Sequence, residues 1–285
     1  MKQKAELLYL DLMKKTLSFT LWPEPPIPIT VFNYARPPLK RFLVSGISKI
    51  LDVINSLQNV KLQIVHKRGF SERDRTEGKI WPGYADTMIG LKRLDNLQYC
   101  IETVLSEGVE GDFIETGVWR GGACIFMRAV LAAYGIEDRR IFVADSFEGL
   151  PKPDAAKYPA DKGDRHHIHT PLAVSKEDVE NNFRKYGLLD NQVVFLKGWF
   201  KDTLPLAPIE KLSVLRLDGD MYGSTMESLE SLYPKLSSGG FCIIDDYGAV
   251  LGCKSAVDDF RSKHEIDCEI KEIDSLGVYW RTDAK

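Results

Sequence analysis

The chain has 285 residues and a mass of 32.2 kDa, enough for one large domain or two small ones and for a core that needs no disulfide or metal staple. Apolar residues are 44% and charged residues 28%, which excludes disorder, and 22 glycines and 14 prolines exclude collagen-like and low-complexity chains. The net charge of -3 is uneven: residues 1–100 hold 16 Lys/Arg and 9 Asp/Glu, and the excess acid falls in the remainder. The basic surplus is spread thin, so it reads as a solvated surface or an arm toward something anionic, and no nucleic-acid partner is expected.

The first elements are helical. Residues 5–21 read as an amphipathic helix ended by the proline-rich stretch Pro23–Ile29, which must run extended. Residues 39–65 suggest another helix and a strand, and His66–Asp86 is polar and loop-like. Glu6, Asp11, Lys14 and Lys15 interrupt any signal-peptide core, and no 18-residue apolar run exists, so no membrane span is expected. The five cysteines form no CxxC pair, which suits reduced thiols in a cytoplasmic protein.

From Leu91 onward, short apolar runs alternate with helical patterns. Strands are expected at Asp112–Thr116, Arg140–Asp145, Gln192–Gly198, Ser213–Asp218 and Gly240–Asp246, with closing strands at 267–273 and 277–281. Helices are expected at 91–107, 122–134, 175–186, 223–236 and 253–263. The alternation implies an α/β fold with a doubly wound, mostly parallel seven-stranded sheet, and ligands at the carboxyl ends of its strands. Residues 1–86 would form an N-terminal helical extension and 87–285 the main domain.

The strand ends carry the chemistry. The first ends in Glu115-Thr116-Gly117 and a G-x3-G-G turn, not the dinucleotide pattern G-x-G-x-x-G; its acid would sit near a cationic centre of a nucleoside cofactor. Asp145, ending the second strand, has two acceptor oxygens for ribose hydroxyls. Gly198-Trp199, after the third, offers an indole for a base or for the core. The fourth and fifth end in Asp218, Asp220, Asp245 and Asp246, four carboxylates that repel unless a hard cation such as Mg²⁺ sits among them. His166, His167 and His169 lie in a polar segment without a carboxylate at ligand spacing, which favours a solvated or lid loop over a metal site. No G-x-S-x-G, P-loop or HExxH occurs.

In GDFIETGVWRGGACIFMRAVL (111–131), VADSFEGLP (143–151), GWFKDTLP (198–205), LRLDGDMYGST (215–225) and GGFCIIDDYGAV (239–250), the chain resembles the macrocin O-methyltransferase family, Mg²⁺- and S-adenosylmethionine-dependent enzymes that methylate sugar hydroxyls of macrolide and aminocoumarin antibiotics. Gly223 departs from the pattern, standing where an acidic residue is expected. The resemblance implies a Rossmann-like class I methyltransferase fold, with Asp218, Asp245 and Asp246 holding Mg²⁺ and Asp220 as general base. It also implies that Glu115, Thr116, Gly117, Asp145, Ser146, Gly198 and Trp199 line the S-adenosylmethionine site, with Met88 closing over it.

The acceptor expected from this resemblance is a sugar hydroxyl of a glycoside, with a catechol as the chemical alternative. Trp22, Phe32, Tyr34 and Phe42 in the basic front are candidates to cover an extended acceptor or to dock on a second subunit in a homo-oligomer. Residues 66–90 and the histidine loop would exclude water. Two other classes remain at this point, a nicotinamide-dependent dehydrogenase, which lacks its glycine fingerprint, and a non-catalytic sugar-binding module.

Overall fold

A computed structural model describes residues 4–283 except 24, 31–36, 67–70 and 81. The chain opens with α1 (Lys4–Leu17), whose Leu10, Met13 and Leu17 are buried. The short strand β1 (Ile27–Pro28), in the expected extended stretch, pairs antiparallel with β2 (Val65–His66). Between them runs α2 (Pro38–Gln58), which starts with proline in its first turn and ends at Asn59 in the left-handed conformation. The loop-like stretch that follows contains a short helix, α3 (Glu72–Thr76), capped by the Ser71 hydroxyl.

The main sheet then assembles in order along the chain. α4 (Leu91–Ser106) leads to β3 (Asp112–Thr116), α5 (Gly122–Tyr134) to β4 (Ile141–Asp145), and α6 (Lys176–Lys185) to β5 (Val193–Lys197). After the single turn α7 (Phe200–Thr203) come β6 (Leu212–Leu217), α8 (Tyr222–Leu232), β7 (Leu236–Ile244), α9 (Leu251–Lys263), β8 (Lys271–Glu272) and β9 (Val278–Arg281). The sheet order is β5-β4-β3-β6-β7-β9-β8. The first five strands are parallel and β9 runs antiparallel to β7 and β8. The seven expected strands are therefore present. The helix expected over 223–236 is shorter, because Pro234 cannot donate to it, and β7 begins at Leu236 rather than Gly240.

Side-chain alternation along each strand feeds two cores. Phe113, Val143, Val214, Phe241 and Ile243 face one layer, filled by α1, α4, α5 and α6. Ile114, Phe142, Leu215, Leu217 and Ile244 face the other, filled by α8, α9 and Trp280. Within the stretch expected as an N-terminal extension, α1 sits in the first core through Leu10, Met13 and Leu17. The segment that stands apart is α2, which buries none of its described residues and leaves Phe42 76% and Leu57 80% exposed. Among the described residues no helix is long and apolar enough to cross a membrane.

The role of α1 is measurable. Leu17→Ala should cost about 2–5 kcal/mol of folding stability, the range for truncating a buried leucine. Leu12→Ala, on the half-exposed face of the same helix, should stay within roughly 1 kcal/mol. Urea denaturation of the two variants compares them, and equal losses would remove α1 from the core.

Candidate active site

The carboxyl ends of β3, β4, β5 and β6 open onto one cavity of about 250 Å³. Of the residues expected at a cofactor site, Met88, Gly117, Asp145, Ser146, Gly198 and Trp199 line it, and so do Asp218 and Asp220. Trp119, Phe147 and Asp220, following β3, β4 and β6, have φ of 49°, 59° and 56°. Such left-handed conformations cost a non-glycine residue about 1–2 kcal/mol and concentrate at functional sites. Gly117 is required sterically: at φ 84° a Cβ there would lie 1.7 Å from the Asp218 carbonyl oxygen. The glycine turn thus lets the tip of β6 approach β3, which brings cofactor-side and carboxylate-side residues together.

Asp145 organises the turn above it. Its Oδ2 accepts from the Val118 N–H at 2.8 Å and its Oδ1 from the Phe147 N–H at 2.7 Å. Burial pushes its carboxyl above the usual range, opposed by these bonds. Asp145 nonetheless lines the cavity. Trp199 is half-buried on the wall and so is not a core side chain. Met88 is seated by the segment before it, where Arg120 donates to the carbonyls of Gly83 and Ala85 and Asp86 accepts from Tyr186 Oη at 2.6 Å.

Glu115 and Thr116 differ from expectation. Both are buried beneath the cavity and neither lines it. The cation beside Glu115 is the Arg216 guanidinium, and Cys124 Sγ donates to its other oxygen at 2.9 Å. Arg216 is itself 1% exposed and also pairs with Asp218, at 2.9 Å, and with Asp245. Asp245 is shared with Arg93 of α4, whose Nε reaches Asp274 at 3.0 Å. Sequence reasoning missed both arginines. The available signal was Arg216 in the otherwise apolar run SVLRL, since a charge on a central parallel strand must find partners.

The four terminal aspartates consequently divide. The carboxyl oxygens of Asp218, Asp220 and Asp246 lie within 4.8 Å of one another. Asp245, expected with Asp218 and Asp246 as a metal ligand, stands outside that group, each of its oxygens accepting from a guanidinium. Burial alone would raise Asp245, but Arg93 and Arg216 hold it below the ordinary carboxylate range. Asp218 and Asp246 are pushed well above that range by burial and then by neighbouring carboxylates. Asp220 is pushed up to about 6, by burial first, with the nearby His166 opposing. Such a group can stay ionised together beside a cation, and an all-oxygen donor set suits a hard dication such as Mg²⁺.

The outer wall is the segment between β4 and α6, which supplies Leu150, Lys152, Lys157, Tyr158 and Leu172. His166 is engaged there, its Nδ1 2.6 Å from Asp164 Oδ2, and no described histidine joins a metal-binding group. Neither Trp22 nor Phe42 lines the cavity, and Phe32 and Tyr34 lie outside the described residues.

The macrocin-O-methyltransferase (TylF) family matches residues 6–282. The chain belongs to that family. As a member of the macrocin-O-methyltransferase family it is an O-methyltransferase, and the dehydrogenase and non-catalytic alternatives fall away. It is 49% identical over 286 residues to the 8-demethyl-8-(2,3-dimethoxy-alpha-L-rhamnosyl)-tetracenomycin-C 4'-O-methyltransferase of Streptomyces olivaceus, covering 100% of this chain and 96% of the relative. It is 53% identical over 224 residues to the demethyldecarbamoylnovobiocin O-methyltransferase of Streptomyces niveus, covering 76% and 86%. The solved structure of the O-methyltransferase NovP superposes with a TM-score of 0.82 at 44% identity, covering 98% of this chain and 99% of that one. The class I methyltransferase fold is shared.

Arg216 carries a testable load. Arg216→Met should destabilise the protein by about 3–5 kcal/mol, because three acids lose their common partner. Lys211→Ala, which breaks an exposed pair with Glu110, should cost no more than about 1 kcal/mol. Chemical denaturation measures both, and a near-neutral Arg216→Met would show that the carboxylates do not depend on it.

Proposed function

We propose that the protein transfers the methyl group of S-adenosylmethionine to a sugar hydroxyl of a glycosylated natural product, with Mg²⁺ at the aspartate cluster and Asp220 as general base. The observation that carries this reading is the convergence of Asp218, Asp220 and Asp246 on one another, with Asp218 and Asp220 lining the same cavity as Asp145 and Trp199. Relatives named for a rhamnosyl tetracenomycin and for demethyldecarbamoylnovobiocin support the glycoside class.

The residues divide the work. Asp145 accepts the cofactor's ribose hydroxyls, Trp199 covers its base, and Met88 and Ser146 close around it. The sulfonium supplies an already activated methyl, so the remaining tasks are alignment and removal of a proton. Asp218 and Asp246 are assigned as metal ligands, with Asp245 behind them fixed by Arg93 and Arg216. Bound Mg²⁺ would make the sugar hydroxyl more acidic. Asp220 takes the proton: its left-handed backbone turns the residue onto the cavity wall, and its N–H is donated to Asp246 Oδ2 at 3.2 Å. A hard cation beside a carboxylate base suits an alcohol oxygen, which is a poor nucleophile until deprotonated. The cavity wall that would receive the acceptor comes from the segment between β4 and α6, and no described residue of the basic front, 1–86, lines the cavity.

Two measurements test this. By calorimetry, Asp145→Ala should weaken S-adenosylmethionine binding by about 1.5–3 kcal/mol, the range for hydrogen bonds to a charged group. Unchanged affinity would remove Asp145 from the site. Methyl transfer from labelled cofactor to a panel of rhamnosides and simple catechols should favour the rhamnosides, stop in excess EDTA and return with Mg²⁺. Asp220→Asn should cut that turnover ~10²–10⁴-fold while leaving cofactor affinity unchanged. Full activity in EDTA, a near-normal Asp220→Asn, or turnover of catechols alone would each refute its part of the reading.

A further inference from the structure

The helix α8, which follows the Asp218–Asp220 turn, has no cap of its own. Its N-cap residue is Met221 and its first turn contains no acid. The first amide groups of such a helix need acceptors. They find one 61 residues upstream, where Asp161 Oδ1 accepts from the Tyr222 N–H at 2.7 Å and Oδ2 from the Gly223 N–H at 2.9 Å. Asp161 is only 3% exposed and lies in the segment between β4 and α6 that forms the outer wall of the cavity.

The surroundings are cut to admit this carboxylate. A Cβ on Gly223 would lie 2.6 Å from the Tyr158 ring and 3.2 Å from Asp161 Oδ2. A Cβ on Gly252, at the start of α9, would lie 3.1 Å from Asp161 Oδ1. Tyr158 adds a second attachment: its ring lies 5.7 Å from that of Tyr222, and its hydroxyl donates to Glu227 Oε1 at 3.2 Å. The Asp161 N–H closes the turn on the Tyr158 carbonyl at 3.0 Å. Gly223 is therefore the position where an acid on α8 itself has no room, because the acid arrives from the wall.

We propose that Asp161 is a positioning residue for methyl transfer, latching the outer wall of the cavity onto the helix whose entry carries Asp218 and Asp220. The wall's distance from Asp220 is then set by two hydrogen bonds to backbone amides. The assignment of that wall to the acceptor rests on the proposed function; the latch itself does not. Asp161→Ala frees Tyr158 and its neighbours, so the acceptor loses alignment, while the cofactor residues on β3, β4 and β5 stay in place. A small misplacement of reacting groups lowers rate steeply.

Hydrogen exchange followed by mass spectrometry on the full chain tests the latch without any acceptor. In Asp161→Ala the amides of residues 151–165 and of Tyr222 and Gly223 should exchange about tenfold faster or more, while those of β3, β4 and β6 are unchanged. Calorimetry should give an S-adenosylmethionine affinity within about twofold of the wild type. With the rhamnoside that turns over best, the acceptor KM should rise and kcat fall by about 10- to 100-fold together. Asp161→Asn, which keeps one acceptor oxygen, should fall between the two. Gly223→Ala, which displaces Tyr158 and Asp161 sterically, should reproduce the fast exchange and decides the matter if Asp161→Ala does not fold. Wild-type exchange over 151–165, or a loss of cofactor affinity parallel to the loss of turnover, would overturn the proposal. Failure of every glycoside to react, with the exchange pattern as expected, would refute the sugar acceptor and leave the latch standing.

Discussion

One buried guanidinium ties the two halves of the site together. Arg216 sits on the central strand β6 and contacts Glu115 on β3, Asp218 at its own strand end and Asp245 after β7. A charge so placed is costly to desolvate and tolerable only with good partners. The three acids are in turn tolerable only with it. Removing any one changes the balance for the others, so three adjacent strand ends are held in mutual register by side chains as well as by the backbone ladder. Arg93 extends the network outward to α4 and to Asp274, beyond β8. The cofactor side of the cavity and the aspartate side are therefore one electrostatic unit.

Around that unit the fold places irregular backbone where chemistry is wanted. The strands end in residues with left-handed φ, and Gly117 lets the β6 tip come within contact of the β3 turn. The sheet and the helices buried on both faces supply the rigidity that keeps these conformations in place. The outer wall is different in kind. It contains three short 3₁₀ turns, at Pro159–Asp161, His166–Ile168 and Thr170–Leu172. Its position depends on attachments such as Asp161 on α8 and the Trp119 Nε1 bond to the Pro171 carbonyl at 2.9 Å.

The sheet was legible because parallel strands buried on both faces read as short apolar runs, and each run here ends in an acid, glycine or both. Asp145, Asp218 and Asp220 could be located in the same way, as residues at strand ends. What sits beneath a strand end could not. Periodicity places Glu115 and Asp245 at strand ends, but it cannot show that an arginine on the neighbouring strand, or one 152 residues earlier in the chain, pairs with them. Asp161 carries no signal at all in a polar stretch, since its partners are backbone amides, which every sequence has. For the aromatic residues near the N-terminus, exposure and hydrophobicity identify a surface, not the surface it faces. Phe42 is exposed on α2, outside the cavity.

The electrostatic inventory bears on why an alcohol can be methylated here. Among the described residues, Glu115, Asp218, Asp220, Asp245, Asp246 and Asp274 are gathered near Arg93 and Arg216. The guanidiniums neutralise the buried, inner acids and leave the surplus at Asp218, Asp220 and Asp246. That surplus favours cationic occupants at the strand tips, which suits both a sulfonium donor and a hard dication. In the proposed reaction the acceptor O–H bond breaks as the O–CH₃ bond forms and the sulfonium becomes a neutral thioether. Asp220 gains the proton in the same event. One positive charge leaves the cofactor and one arrives at the base, so the charge of the cavity is conserved while its distribution shifts by a few ångströms. A site whose other charges are locked in ion pairs needs little rearrangement to accommodate that shift, and low reorganisation is what fixed dipoles and charges contribute to catalysis.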